Sequence, residues 1–432
     1  MYTLLTACNI VRKTDDSAGR MKVFMSVLRN SRKIRYSYTL YQHAPAAVKA
    51  ALIVLYGAKC YLSLAWQGDD EQQLVFFASY PNERNVLNHV RNNLDTIQHG
   101  EVTISLQNCL RFGALADIAA FVPAMPRLYR YAKNLVRRHD FMPACRIFST
   151  VTYYMRFKRL LAGSAGSDVK AAFIACQYSP ECLGLAAAAH KTGKKVLFTN
   201  HASATGETGY VAPLYADLVA VTSQAMADLY QRHTSHDLDI VPLTIAAPQQ
   251  SMRMPDRDAD ALTAGIYLTA LTDESRLQKI VSELSQLPSI GSVFIRTHPA
   301  RVVNADLSGI AGEGRPIEIS DTRPLPEDIA RTDIAVCGNS TVVIEILRGG
   351  RPVLYDHKLD HLVFDYNGYT GHGLVLPYPD TLDQSVLDQI RRHYLSADWL
   401  DKMGYFDSGY QMDETAMLQR FEAAVAGILQ QA

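Results

Sequence analysis

Apolar and polar positions follow two different rhythms along the chain. From residue 169 onward, short apolar runs alternate with stretches whose apolar positions recur every three or four residues. Runs at 169–176, 195–199 and 217–222 predict strands. Residues 180–191 and a stretch through Tyr230 predict helices, the first stopped by Gly193. A polar stretch with two prolines at 246–260 breaks the pattern, and alternation then resumes. Strands are expected at 264–271, 292–295, 334–336 and 352–355, helices at 274–287 and 341–348, and an amphipathic helix at 413–429. The earlier part is less regular. Residues 2–11 read as a first buried strand, 44–66 as an apolar helix, 74–79 and 102–106 as strands, and 85–97 as a helix.

Strand–helix alternation places a parallel sheet between helices. The expected fold is therefore α/β with two doubly wound, Rossmann-like domains facing a central cleft. The first spans 1–245, the linker 246–260, and the second 261–432 including the terminal helix.

Composition narrows the class. The chain has 432 residues, 43 Lys+Arg against 43 Asp+Glu, and 48 % hydrophobic residues. Disordered, collagenous and small disulfide-bonded classes are excluded, and a neutral total argues against a protein that coats nucleic acid. Seven cysteines without CxxC or zinc spacing read as free thiols of a reducing compartment. Leu5-Thr6-Ala7-Cys8 has the form of a lipoprotein cleavage box, but no basic segment precedes it. In 44–66, Lys49 and Lys59 keep the uncharged run well short of a membrane span, so a buried helix is expected, with an interfacial helix as the alternative.

In doubly wound sheets, ligands sit beyond the carboxyl ends of the strands. Those positions in the second domain carry Arg296-Thr297-His298-Pro299, Cys337-Gly338-Asn339-Ser340-Thr341 with Glu345 one turn later, and Thr272-Asp273. A helix N-terminus attracts phosphate, Gly338 allows close backbone approach, Ser340 and Thr341 add hydroxyls, and Arg296 and His298 offset leaving-group charge. Glu345 can accept from ribose hydroxyls. No P-loop or GxGxxG is present.

The pair RTHPAR (296–301) and CGNSTVVIE (337–345) resembles bacterial GT-B glycosyltransferases that use CMP-activated sugars, the sialyltransferases and Kdo transferases of capsule and lipopolysaccharide synthesis. The resemblance covers mainly 264–356. In the first domain it extends only to the helix opening Pro180-Glu181 and the strand ending in Asn200-His201. It implies that His298 and Pro299 form an HP motif, that Ser340 and Thr341 form a Ser/Thr motif, and that Arg296, Gly338, Asn339 and Glu345 complete a CMP site. The implied reaction transfers Kdo or a related ulosonic sugar to a growing surface polysaccharide, without metal or other cofactor. CDP-polyol phosphotransferases share the two-motif layout. A non-catalytic nucleotide- or glycan-binding protein is the alternative from another class.

Such transfer needs a carboxylate as base or nucleophile. Asp273, Glu181 and Glu207 are the candidates, Asp273 with Glu181 being favoured, and His298 assists the leaving group. Residues 127–159 hold nine Lys/Arg against Asp140 alone, interleaved with aromatics. This belt suits peripheral contact with an anionic membrane, RNA or an acidic polysaccharide acceptor, or else is a solvated face over core aromatics. The expected location is the cytoplasm, at the inner face of the membrane.

Overall fold

The computed structural model describes the chain except residues 1, 16–31, 68–71, 95, 111–113, 164–165, 201–209, 244–249, 257–260, 270–271, 299–306, 311–316, 361–363, 411 and 432. Glu207, His201 and Pro299 therefore lie outside the described residues.

Two sheets form. The first contains β1 (Leu64–Gln67), β2 (Leu74–Phe77), β3 (His99–Ile104), β4 (Ala171–Ile174), β5 (Lys195–Thr199), β6 (Leu218–Val221) and β7 (Ile240–Pro242), in the order β1-β3-β2-β4-β5-β6-β7. All pairs are parallel except β1–β3. The second contains β8 (Leu262–Tyr267), β9 (Ile290–Arg296), β10 (Ile317–Ser320), β11 (Ile334–Cys337), β12 (Val353–Tyr355) and β13 (Leu376–Pro377). Its order is β10-β9-β8-β11-β12-β13, parallel throughout. Both sheets are doubly wound, so the GT-B architecture of two Rossmann-like units is what the chain adopts. The chain reverses direction across the sheet between β2 and β4 in the first unit and between β8 and β11 in the second. These are the two switch points at which a crevice opens.

Local chemistry explains the strong elements. In helix Pro180–Lys191, Pro180 sits in the first turn and Ser179 caps it, its hydroxyl accepting from the Cys182 amide at 3.2 Å. Gly193 ends it at φ 75°, a conformation that favours glycine. Asp217, before β6, ties this unit together: it accepts from His190 at 3.0 Å and from the Val196 amide at 2.9 Å. Burial pushes its carboxyl up, but bonds from His190, Val196 and Lys195 outweigh burial and bring it to about 2. Because the folded value is depressed, the stabilisation is full above the unfolded carboxylate value of about 4 and disappears as pH falls from there towards about 2. Asp217→Asn is expected to flatten this part of an acid-unfolding curve; an unchanged acid limb would contradict the assignment.

Two expectations are corrected. Residues 2–11 are not a strand: Leu4–Asp15 is a helix, because Ala7, Ile10, Val11 and Thr14 are buried at helical spacing against helices Phe141–Ala162 and Pro180–Lys191. The terminal helix Glu414–Gln430 lies on the first sheet. Phe421, Val425 and Ile428 pack with Leu74, Phe173 and Leu197, closing a sheet face that the first unit's own helices leave open. The basic belt is a solvated face over core aromatics: helix Met125–Arg138 exposes Arg127 and Arg130, helix Phe141–Ala162 exposes Lys158 and Arg159, and in the latter Phe148, Tyr153 and Phe157 are core. There Arg156 is buried against Asp117, and Arg146 pairs with Asp15 at 2.9 Å. The seven cysteines are free thiols.

Candidate active site at the strand ends

In the second sheet, β9 and β11 flank β8, so their carboxyl ends stand about 10 Å apart across one intervening strand. His298 leaves the end of β9, and Ser340 and Thr341 leave the end of β11, all half-buried. Burial lowers the His298 pKa, so the imidazole is neutral near pH 7. The Ser340 hydroxyl accepts from the Val342 amide at 3.3 Å, and a hydroxyl that accepts can still donate. Thr341 starts the helix Val342–Arg348 without using its side chain as a cap. Glu345, on the same helix, is solvent-accessible, and burial of its surroundings raises its carboxyl.

Other expected donor residues are committed to the fold. Gly338 is required because a Cβ there would run into the Asp360 carboxylate. Asp360, 3 % exposed, accepts from the Asn339 amide and from the Thr269 hydroxyl, thereby joining the ends of β8, β11 and β12. The backbone N–H of Asn339, which the sequence offers to a phosphate, is therefore taken. The Asn339 side chain is taken as well. Its Oδ1 accepts from the Tyr355 hydroxyl at 2.6 Å and the Tyr366 amide at 2.7 Å, and its Nδ2 donates to the Phe364 carbonyl at 3.1 Å. Asn339 thereby holds residues 364–366 against the end of β11.

Arg296 is also redirected. It donates to buried Asp328 and to the Arg323 carbonyl at 2.8 Å. Asp273 is a helix cap: its Oδ1 accepts from the Arg276 amide at 2.9 Å and the Ser275 hydroxyl at 2.6 Å. The expected strand before it ends at Tyr267, four residues earlier than the sequence pattern suggests.

The first unit contributes a second group at its own switch point. Glu181 opens the helix after β4. Glu83 lies in the first turn of helix Pro81–Asn92 after β2, where its Oε2 accepts from the Ser79 amide at 2.7 Å. Burial pushes the Glu181 carboxyl above the ordinary range; its own backbone amide and Arg146 pull it down, and Glu83 adds to the rise. Arg146 stands at the same strand ends, donating to the Tyr178 carbonyl at 2.8 Å. Tyr178, which follows β4, lies within electrostatic reach of Tyr366 of the second unit. Glu83, Arg146 and Asp360 escape a motif search. Glu83 alone had a usable signal, since it follows the expected strand 74–79 as Glu181 follows 169–176.

No family model matches the chain, and no curated protein matches it. Solved structures do. The spinosyn rhamnosyltransferase SpnG is 15 % identical, with 84 % of this chain and 100 % of that one covered and a TM-score of 0.43. The glycosyltransferase SnogD from Streptomyces nogalater is 13 % identical over 82 % and 99 %, with a TM-score of 0.43. MnaA of S. aureus, solved with UDP, is 9 % identical over 83 % and 96 %, with a TM-score of 0.47. These likenesses concern outline only.

Proposed function

We propose that this chain is a glycosyltransferase that moves a nucleotide-activated sugar to a glycan acceptor across the cleft between its two units. The observation that carries the reading is the β8–β11 switch point, bracketed by His298 and Ser340–Thr341, with the Glu181 group at the corresponding switch point of the first unit. The donor phosphate sits between the ends of β9 and β11. Neutral His298 and the Ser340 and Thr341 hydroxyls donate to it, and Glu345 accepts from the ribose. The acceptor oxygen forms a bond to the anomeric carbon while the bond from that carbon to the phosphate oxygen breaks. The electron pair leaves on the phosphate, and the acceptor proton passes to the Glu181 carboxylate. The raised pKa of Glu181 suits a base that must take a proton near neutral pH.

The HP and Ser/Thr motifs favour a CMP-activated ulosonic sugar such as Kdo, with surface polysaccharide as acceptor. A single phosphate leaving group has no diphosphate for a metal to bridge, and transfer is expected to persist in EDTA. His298→Ala is expected to lower turnover about 10²–10³-fold, as loss of one donor to developing charge does. Ser340→Ala is expected to weaken donor binding about tenfold, and both variants should melt near the wild-type temperature. Thermal shifts with CMP, CDP, UDP and GDP check the donor class: stabilisation by CMP is expected, whereas a preference for UDP or GDP, or unchanged turnover in both variants, would refute it.

A further inference from the structure

Helix Ala46–Ser63 is apolar on both sides. Its inner side, with Ile53, Val54 and Tyr61, is packed in the core. On its outer side Val48, Leu52, Leu55 and Tyr56 follow one another at helical spacing, and Leu55 is 64 % exposed. Two neighbouring elements extend this surface. Helix Ala114–Phe121 packs against the same helix and exposes Leu115 at 78 % and Ile118 at 40 %. Tyr36 and Leu40 are exposed on helix Arg32–His43, whose Tyr41 carries the Lys49 ammonium 4.9 Å from its ring. A soluble monomer seldom leaves so many large aliphatic side chains in water on adjoining helices.

The charge of helices 32–43, 46–63 and 125–138 has one sign, and Asp117 of helix 114–121 is buried against Arg156. Residues 32–67 and 118–139 contain no Asp or Glu, and together they hold ten Lys and Arg. Arg127 and Arg130 are exposed on helix Met125–Arg138, which packs directly on the 46–63 helix. The Lys59 ammonium lies 5.7 Å from the Tyr56 ring, so its stem runs along apolar surface with the charge at the edge. An apolar stripe rimmed by cations matches the acyl and headgroup zones of an anionic bilayer. Nucleic acid has no use for the aliphatic stripe. The inner half of the 46–63 helix is committed to the core, so this helix lies along a membrane and does not cross it.

We infer that this face, formed by helices 32–43, 46–63 and 114–121 with the basic edge of 125–138, docks the protein on an anionic lipid surface. Docking does not rest on the transfer reading.

The test is sedimentation of the full chain with phosphatidylcholine vesicles and with vesicles containing about one third phosphatidylglycerol, at low and high salt. The expected result is binding to the anionic vesicles, weakened by salt, and little binding to phosphatidylcholine alone. Leu52→Glu with Leu55→Glu should reduce binding at least tenfold, and Arg127→Glu with Arg130→Glu should reduce it comparably. All four positions are solvent-facing, so melting temperature should hold, and donor hydrolysis in solution should be unchanged. Failure of the wild type to bind anionic vesicles would overturn the inference. So would undiminished binding by both double variants, or a dimer in light scattering that the leucine variant dissociates, which would assign the face to a second copy.

Discussion

Glu181→Gln is expected to lower sugar transfer about 10²–10⁴-fold while leaving donor binding and the melting temperature near wild type. The amide keeps the shape and the polarity of the helix start but cannot take the acceptor proton. Burial raises the Glu181 carboxyl, so the acid limb of the wild-type pH–rate profile should lie above the ordinary carboxylate range. Turnover should rise with pH as the carboxylate forms, and that limb should vanish in the variant. Initial rates across pH, with nucleotide binding followed separately, check this. Equal kcat in variant and wild type would remove Glu181 from the chemistry and return the question to Glu207. Asp273 is a weaker rival because its Oδ1 already caps a helix.

Arg296→Ala is expected to destabilise the protein by about 3 kcal/mol. Asp328 is fully buried and gathers Arg296, Arg331 at 2.8 Å and the Ser320 hydroxyl at 2.6 Å. Removing one partner of a buried ion group costs about 3–5 kcal/mol, and the remaining partners place this case at the low end. For a unit of this size that corresponds to a fall of roughly 6–12 °C in Tm. Burial pushes the Asp328 carboxyl up, but Ser320, Arg296 and Arg331 outweigh it and hold it below the usual range. Its stabilising effect is therefore present at neutral pH and lost on acidification. Calorimetry of the variant, with CMP binding measured below its transition, separates two roles. Normal stability with lost CMP binding would make Arg296 a donor clamp after all.

The contrast between Arg296 and His298 shows how far a sequence reaches. Both stand at the end of the same strand in the same motif, and both are chemically suited to a phosphate. Which one remains at the crevice depends on Asp328, 32 positions away from Arg296. Likewise, Asn339 reads as a phosphate-facing cap until Asp360 and residues 364–366 take its backbone and side chain. The motif positions are legible because they follow strand ends, and strand ends are set by local alternation. Their partners are not, because they arrive from β12 and from the crossover after β10.

By itself, the sequence determined the periodic structure of this protein. Apolar period, proline and serine at helix starts, and glycine at a helix end are local properties, and they placed β4–β6, then β8, β9, β11 and β12, and the two strand-end motifs; β10 and the helix Leu325–Arg331 were not among them. Tertiary structure decided everything that depends on which distant segments meet. It made residues 4–15 a helix by offering two helices to pack on, and it laid the terminal helix on the first sheet. It buried Arg156 of the basic belt while leaving Arg127, Arg130, Lys158 and Arg159 exposed, and it left one side of the 46–63 helix facing outward. In each case local pattern fixes how a segment can fold, whereas burial and charge pairing are fixed only when strand order brings its partners alongside.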